Sequence, residues 1–111
     1  MKSRERARVE RHAKRACALV APDLRLIVCW VSTGLRGAFA ECLAHPGEAY
    51  IVIDEPLFDL ATPDDREDTI RHEIAHAIAW RRHGYSIRPH GREWLRARAD
   101  LDRALDAPDE V

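Results

Sequence analysis

The stretch TPDDREDTIRHEIAHAIAWRRHG, Thr62 to Gly84, predicts a helix with both of its ends marked. Thr62 offers a hydroxyl at the N-cap, and Pro63 suits the first helical position. Asp64 and Asp65 favour the positive end of the helix dipole. Gly84 is a natural residue just past the C-terminus. Ile70, Ile74, Ala77 and Ile78 recur at helical spacing, so one face of this helix is expected to be buried. Inside it lies His72-Glu73-Ile74-Ala75-His76, an HExxH. Residues four apart stand one above the other on a helix, so both imidazoles can meet one ion at Zn–N distances of about 2.0–2.1 Å. Glu73 projects from the neighbouring face, where it can reach a water on the metal without ligating the metal. That is the position of a general base in zinc peptidases.

Catalytic zinc usually has three protein ligands and an open position. His83 and His90 are the downstream histidines. His83 shares the helical face of His72 and His76 but lies about 10 Å beyond His76 at 1.5 Å per residue, too far to share the ion. It suits the helix C-terminus instead. His90 follows the Gly84 break, and Pro89 and Gly91 on either side suggest a fixed turn back towards the metal. His90 is the favoured third ligand, with Glu93 as its rival. The metzincin spacing HExxHxxGxxH does not fit, because Ala79 and Arg82 occupy its glycine and third-histidine positions.

Outward from the motif, the pattern is α+β. A first helix runs to about Val20, with Val9, Ala13, Ala16, Cys17 and Val20 on one stripe and arginines opposite. Pro22 ends it. Leu24–Val31, Ala38–Leu43 and Ala49–Asp54 read as three strands, separated by Gly34 and Gly37 and then by a type II turn at Pro46-Gly47. An antiparallel meander is the expected pairing. A last helix spans about Gly91 to Ala107, burying Trp94, Ala97, Leu101 and Leu105, and Pro108 ends it.

The 111 residues, 46% of them hydrophobic, suit a single folded domain at 1–111. No apolar run can span a bilayer and no secretory signal opens the chain, so no membrane partner is expected. Cys17, Cys29 and Cys42 fit neither a CxxC knuckle nor a disulfide framework, which suggests reduced thiols in a cytoplasmic protein. The net charge of −1 hides a polarity. Arg4, Arg8, Arg11 and Arg15 load the first helix, and Arg88, Arg92 and Arg96 load the region after the motif. Such clusters can hold single-stranded or damaged DNA electrostatically, or can simply be solvated helix faces.

The arrangement HEIAHAIAW followed by HGREW resembles the SprT-like metallopeptidases, the group that includes the Spartan proteases. AYIVIDEPLF upstream is similar to the strand that precedes their active-site helix, and the likeness covers roughly Gly34 to Leu101. The resemblance implies a zincin-like domain and peptide-bond hydrolysis on a protein or peptide substrate. It makes His72, His76 and His90 the ligands of Zn2+, Glu73 the general base, and Trp94 the aromatic residue that opens the last helix. The better-known members degrade proteins crosslinked to DNA in a DNA-dependent way. Many carry a cysteine-rich zinc ribbon after the peptidase domain, which the present sequence lacks. Zincins commonly hold substrate as a strand added to a sheet edge, and Tyr50–Asp54 is the expected edge. Tyr85 is a possible oxyanion donor that the spacing does not require. The competing readings are a catalytically silent DNA- or protein-binding module with a structural zinc, and a non-peptide zinc hydrolase. A structural site would have no use for Glu73.

Overall fold

The computed structural model describes residues 1–32 and 40–107. Helix α1 (Ser3–Val20) leads into strand β1 (Arg25–Val31). Strands β2 (Ala40–His45) and β3 (Glu48–Asp54) follow, then helices α2 (Glu55–Leu60), α3 (Pro63–His83) and α4 (Arg92–Asp106). The α+β class, the three strands and all three expected helices stand. The expected linker glycines Gly34 and Gly37 and the helix stop at Pro108 lie outside the described residues.

The sheet connectivity differs from a meander. Its order is β1-β3-β2, with β3 in the centre. β2 and β3 form the antiparallel hairpin, with His45 opposite Glu48 across Pro46-Gly47. Gly47 has φ +76°, the left-handed value that the third residue of a type II turn requires. β1 docks on the far side of β3 and, because β2 reverses the chain, runs parallel to it, with Val28 beside Ile51. The sheet is therefore mixed. The physical reason lies in burial. Ala49, Ile51 and Ile53 of β3 are wholly buried, and the most apolar strand face takes the central place. Tyr50–Asp54 is consequently not an edge. β2 is the edge strand that packs against α3.

The register brings Leu26, Val28 and Trp30 of β1 onto one face with Ala49, Ile51 and Ile53 of β3 and Ala40, Cys42 and Ala44 of β2. The helices cover that face, α1 over β1 and α3 over β2, and α4 packs on both helices. Ala13, Ala16 and Cys17 of α1, and Ile70, Ile74 and Ile78 of α3, fill the space between. The short helix α2 was not legible as an element. Asp54 caps it by accepting a hydrogen bond from Leu57 N at 3.2 Å, and it buries Phe58 edge-on against Trp30. Cys17 and Cys42 are buried and all three cysteines are free, as small apolar packing residues. No helix of the described residues is long and apolar enough to cross a membrane.

Candidate metal centre

The motif helix forms as its ends dictate. Thr62 Oγ1 accepts from Asp65 N at 3.1 Å, and Gly84, at φ +83°, closes the other end by donating to Trp80 O. Mid-helix, Glu73 and His76 are buried, 7% and 8% exposed, while His72 is half-buried. His90 arrives from a turn in which Gly91 N donates to Arg88 O at 3.2 Å. Pro89 fixes the backbone at the turn's second position. A Cβ at Gly91 would meet Arg88 Cβ at 3.1 Å, so the tightness of this turn favours glycine.

The three imidazoles converge. His90 Nε2 lies 3.0 Å from His72 Nε2 and 3.1 Å from His76 Nε2. One ring nitrogen carries either a proton or a lone pair, so it cannot donate to one neighbour and accept from the other. Three imidazole nitrogens brought this close are compatible with a metal's donor set. Tetrahedral ligation at Zn–N of about 2.0–2.1 Å sets nitrogens about 3.3 Å apart, close to the distances here. His72, His76 and His90 form a cluster compatible with metal coordination. His83 and Glu93 are outside it. Both line a surface cleft with Arg82, Arg92, Arg96 and Asp100.

The electrostatics suit the same use. Burial, then the neighbouring His72 and His90 rings, hold His76 down at about 4, and burial also lowers His72. Metal ligation requires neutral imidazole, so desolvation prepares the rings for it. Burial, with a smaller contribution from Glu41, pushes Glu73 up to about 7. Its Oε1 stands 3.9 Å from His72 Nε2, beside the three nitrogens rather than among them. A carboxylate tuned near neutrality is matched to general-base work.

Two tryptophans support the rings, and sequence reasoning gave them no such place. Trp94 donates from Nε1 to His72 O at 3.2 Å, and its ring lies 4.9, 5.7 and 5.0 Å from the rings of His72, His76 and His90. It is the wall on which all three imidazoles rest, more than a core filler. Trp80 stacks on His76 at 5.4 Å. The signal for Trp80 was its i+4 spacing from His76. Tyr85 is exposed and stands edge-on to Trp80.

The seven arginines picked out as DNA contacts share one property. Arg4, Arg8, Arg11, Arg15, Arg88, Arg92 and Arg96 are all exposed, and none has a carboxylate partner among the described residues. Arg6, Arg25, Arg66, Arg71, Arg81, Arg82, Arg98 and Arg103 are each paired with an acid.

Two histidines one turn apart, a third from a downstream turn and a buried glutamate beside them define a metallopeptidase-type domain of the HExxH class. The chain belongs to the SprT-like family, whose model matches residues 7–110. It is 41% identical over 64 residues to Protein SprT of Pseudomonas fluorescens, an alignment covering 58% of this chain and 38% of that protein. Protein SprT of Pseudomonas aeruginosa PAO1 gives the same identity and coverage. Protein SprT of Pseudomonas syringae pv. tomato is 38% identical over the same length, with the same shares covered. The matched region thus spans well under half of these relatives. No solved structure gives a significant match.

Proposed function

We propose that this chain is a zinc metallopeptidase domain in which His72, His76 and His90 hold the ion and Glu73 is the general base. The observation that carries the reading is the approach of three Nε2 atoms to within 3.0 and 3.1 Å beside a buried carboxylate. A zinc ion held there supplies Lewis acidity and lowers the pKa of its water towards about 7. Glu73 accepts the proton of the attacking water and returns it to the leaving amine. Its burial keeps its proton affinity close to neutrality in both directions of that transfer. Trp94 holds the ligand rings in orientation through its bond to the His72 carbonyl and its contact with all three rings.

The substrate is an extended protein segment laid beside β2. Among the described residues that strand pairs with β3 alone, and its Cys42 is close enough to feel the charge of Glu73. Backbone hydrogen bonds to the free edge would supply affinity with little sequence demand. DNA-associated proteins are the substrate class favoured by the seven exposed arginines that have no carboxylate partner among the described residues. Exposed guanidinium groups without internal partners remain available to phosphates, with binding that weakens steeply as salt rises. The test combines zinc analysis of the purified protein with hydrolysis of an unstructured protein, with and without single-stranded DNA. Near-stoichiometric zinc and zinc-dependent cleavage are expected, with cleavage increased by DNA at low salt. Stoichiometric zinc without cleavage under any of these conditions would overturn the peptidase reading. Cleavage indifferent to DNA would remove the DNA-directed part alone.

A further inference from the structure

A cavity of about 330 Å³ opens between the β2–β3 turn and the C-terminal end of α3. Its apolar walls are Leu24, Ala44, Ala49, Ala77, Trp80 and Tyr85. Two facts tie it to the metal centre. Trp80 stacks on the ligand His76, so one indole borders both places. Ala44 belongs to β2, the edge strand, and the cavity therefore lies along the path of any chain added there.

The charged groups at its rim are already engaged. Arg81 is paired with Asp23. Glu48 accepts from Tyr50 OH at 2.9 Å and lies 3.6 Å from Arg25. The His45 ring, also on the rim, packs edge-on against Tyr50, and the surface left to meet an incoming group is chiefly Ala44, Trp80 and Tyr85. Such a lining rewards apolar surface and penalises an unpaired charge. Trp80 lies 5.4 Å from His76, and Tyr85 lies 6.3 Å from Trp80. At about 3.3 Å per residue of extended chain, those two steps span roughly two to four residues.

We propose that this cavity is a side-chain subsite of the peptidase, selecting an apolar residue of leucine or phenylalanine size two to four positions from the scissile bond. This rests on the peptidase reading above. It adds to that reading a specificity that edge-strand pairing alone does not provide. Tyr85, the wall on the loop after α3, acts here as a specificity-determining residue with no part in the chemistry.

The test uses the zinc-loaded protein and a set of unstructured peptides that differ only in carrying Phe or Ala at each position flanking one cleavage site. At one position within that window, Phe should raise kcat/KM by roughly tenfold over Ala, the scale of selection that a hydrophobic pocket gives. Tyr85→Ala, which removes an exposed wall, and Ala44→Phe, which fills the cavity, should each bring that ratio towards one. A second readout needs no turnover. Glu73→Gln protein should bind the Phe peptide more tightly than the Ala peptide by calorimetry, and adding Tyr85→Ala should erase the difference. Cleavage with no positional preference, or a preference unmoved by both variants, would overturn the subsite and leave the peptidase standing. No cleavage of any peptide would overturn the peptidase reading and this proposal with it.

Discussion

Helix α3 has two polar faces that treat charge in opposite ways. On the face towards α4, Arg71 bonds Glu67, Asp102 and Asp106 at 2.7, 3.0 and 2.8 Å. Arg98 joins Asp102 and Asp68, and His12 of α1 meets Glu67. Every charge there has a partner, and the Arg71 guanidinium is held firmly in its charged form by the carboxylates around it. On the face with His72, Glu73 and His76, burial takes water away and no ion pair replaces it. The histidines are held neutral and the glutamate tends to keep its proton. Arg71 is the immediate neighbour of His72, where the second regime begins. A structural seam compensates its charges, whereas the histidine cluster is kept neutral by burial, as the proposed metal site requires.

The largest effect should come from removing a ligand. His76→Ala is expected to abolish zinc retention and hydrolysis together, because two imidazoles in a site built for three bind the ion weakly. Elemental analysis of the purified variant checks this, and full zinc occupancy would mean that the convergence of the three rings has another cause. Next in size is Glu73→Gln. Glutamine keeps the shape but cannot take the water's proton, so turnover should fall about 10²–10⁴-fold with zinc and fold retained. Turnover close to the parent would remove Glu73 from the role of base.

A pH measurement sharpens the contrast at intermediate scale. Free imidazole, with a pKa of about 6.5, is mostly protonated at pH 6, and three such rings would release roughly two protons on binding zinc. His76 sits at about 4 and His72 is also lowered, so at pH 6 they are already more neutral than free rings. Fewer protons should be released, as calorimetry in two buffers of different ionisation heat can count. Release of two or more would show that the rings titrate as if solvated. The smallest effect concerns the seam. Arg71→Met should cost about 1–2 kcal/mol in chemical denaturation, because Glu67 and Asp102 are half-buried and Asp106 is exposed, so water takes over only part of each lost bond. The metal-loaded protein should still bind zinc and cleave.

Much of the site was legible because it is local. Thr62, Pro63 and Gly84 mark the ends of one helix, and the four-residue spacing of His72 and His76 needs nothing beyond helical geometry. His90 was separable from His83 by rise per residue alone. The strands were legible as runs, but their order was not. Whether β1 joins β2 or β3 depends on which faces bury best across distant segments, and no window of sequence holds that comparison. The edge was therefore misplaced on Tyr50–Asp54, and with it the strand on which substrate would lie. Trp94 was legible as the aromatic residue that opens the last helix, but its contact with the three rings exists only once α4 has docked on α3, whereas Trp80 meets His76 through i+4 spacing within α3 itself. The six-residue α2 is too short for any periodicity to appear.

Among the described residues the outer edge of β2 is unpaired, and this has a consequence for the protein as a solute. An unpaired strand edge accepts any extended chain, including one from a second copy, so the feature suited to substrate also invites self-association. β2 carries the usual safeguards. It is only 6 residues long, Glu41 and His45 are exposed on it, and Pro46 interrupts it where a ladder would continue. Such an edge, where Leu43 is exposed between Glu41 and His45, can hold a guest strand but is too short to nucleate a growing stack. Lengthening β2 or making Glu41 and His45 apolar would be expected to turn a transient docking strip into an aggregation seed, visible as concentration-dependent light scattering.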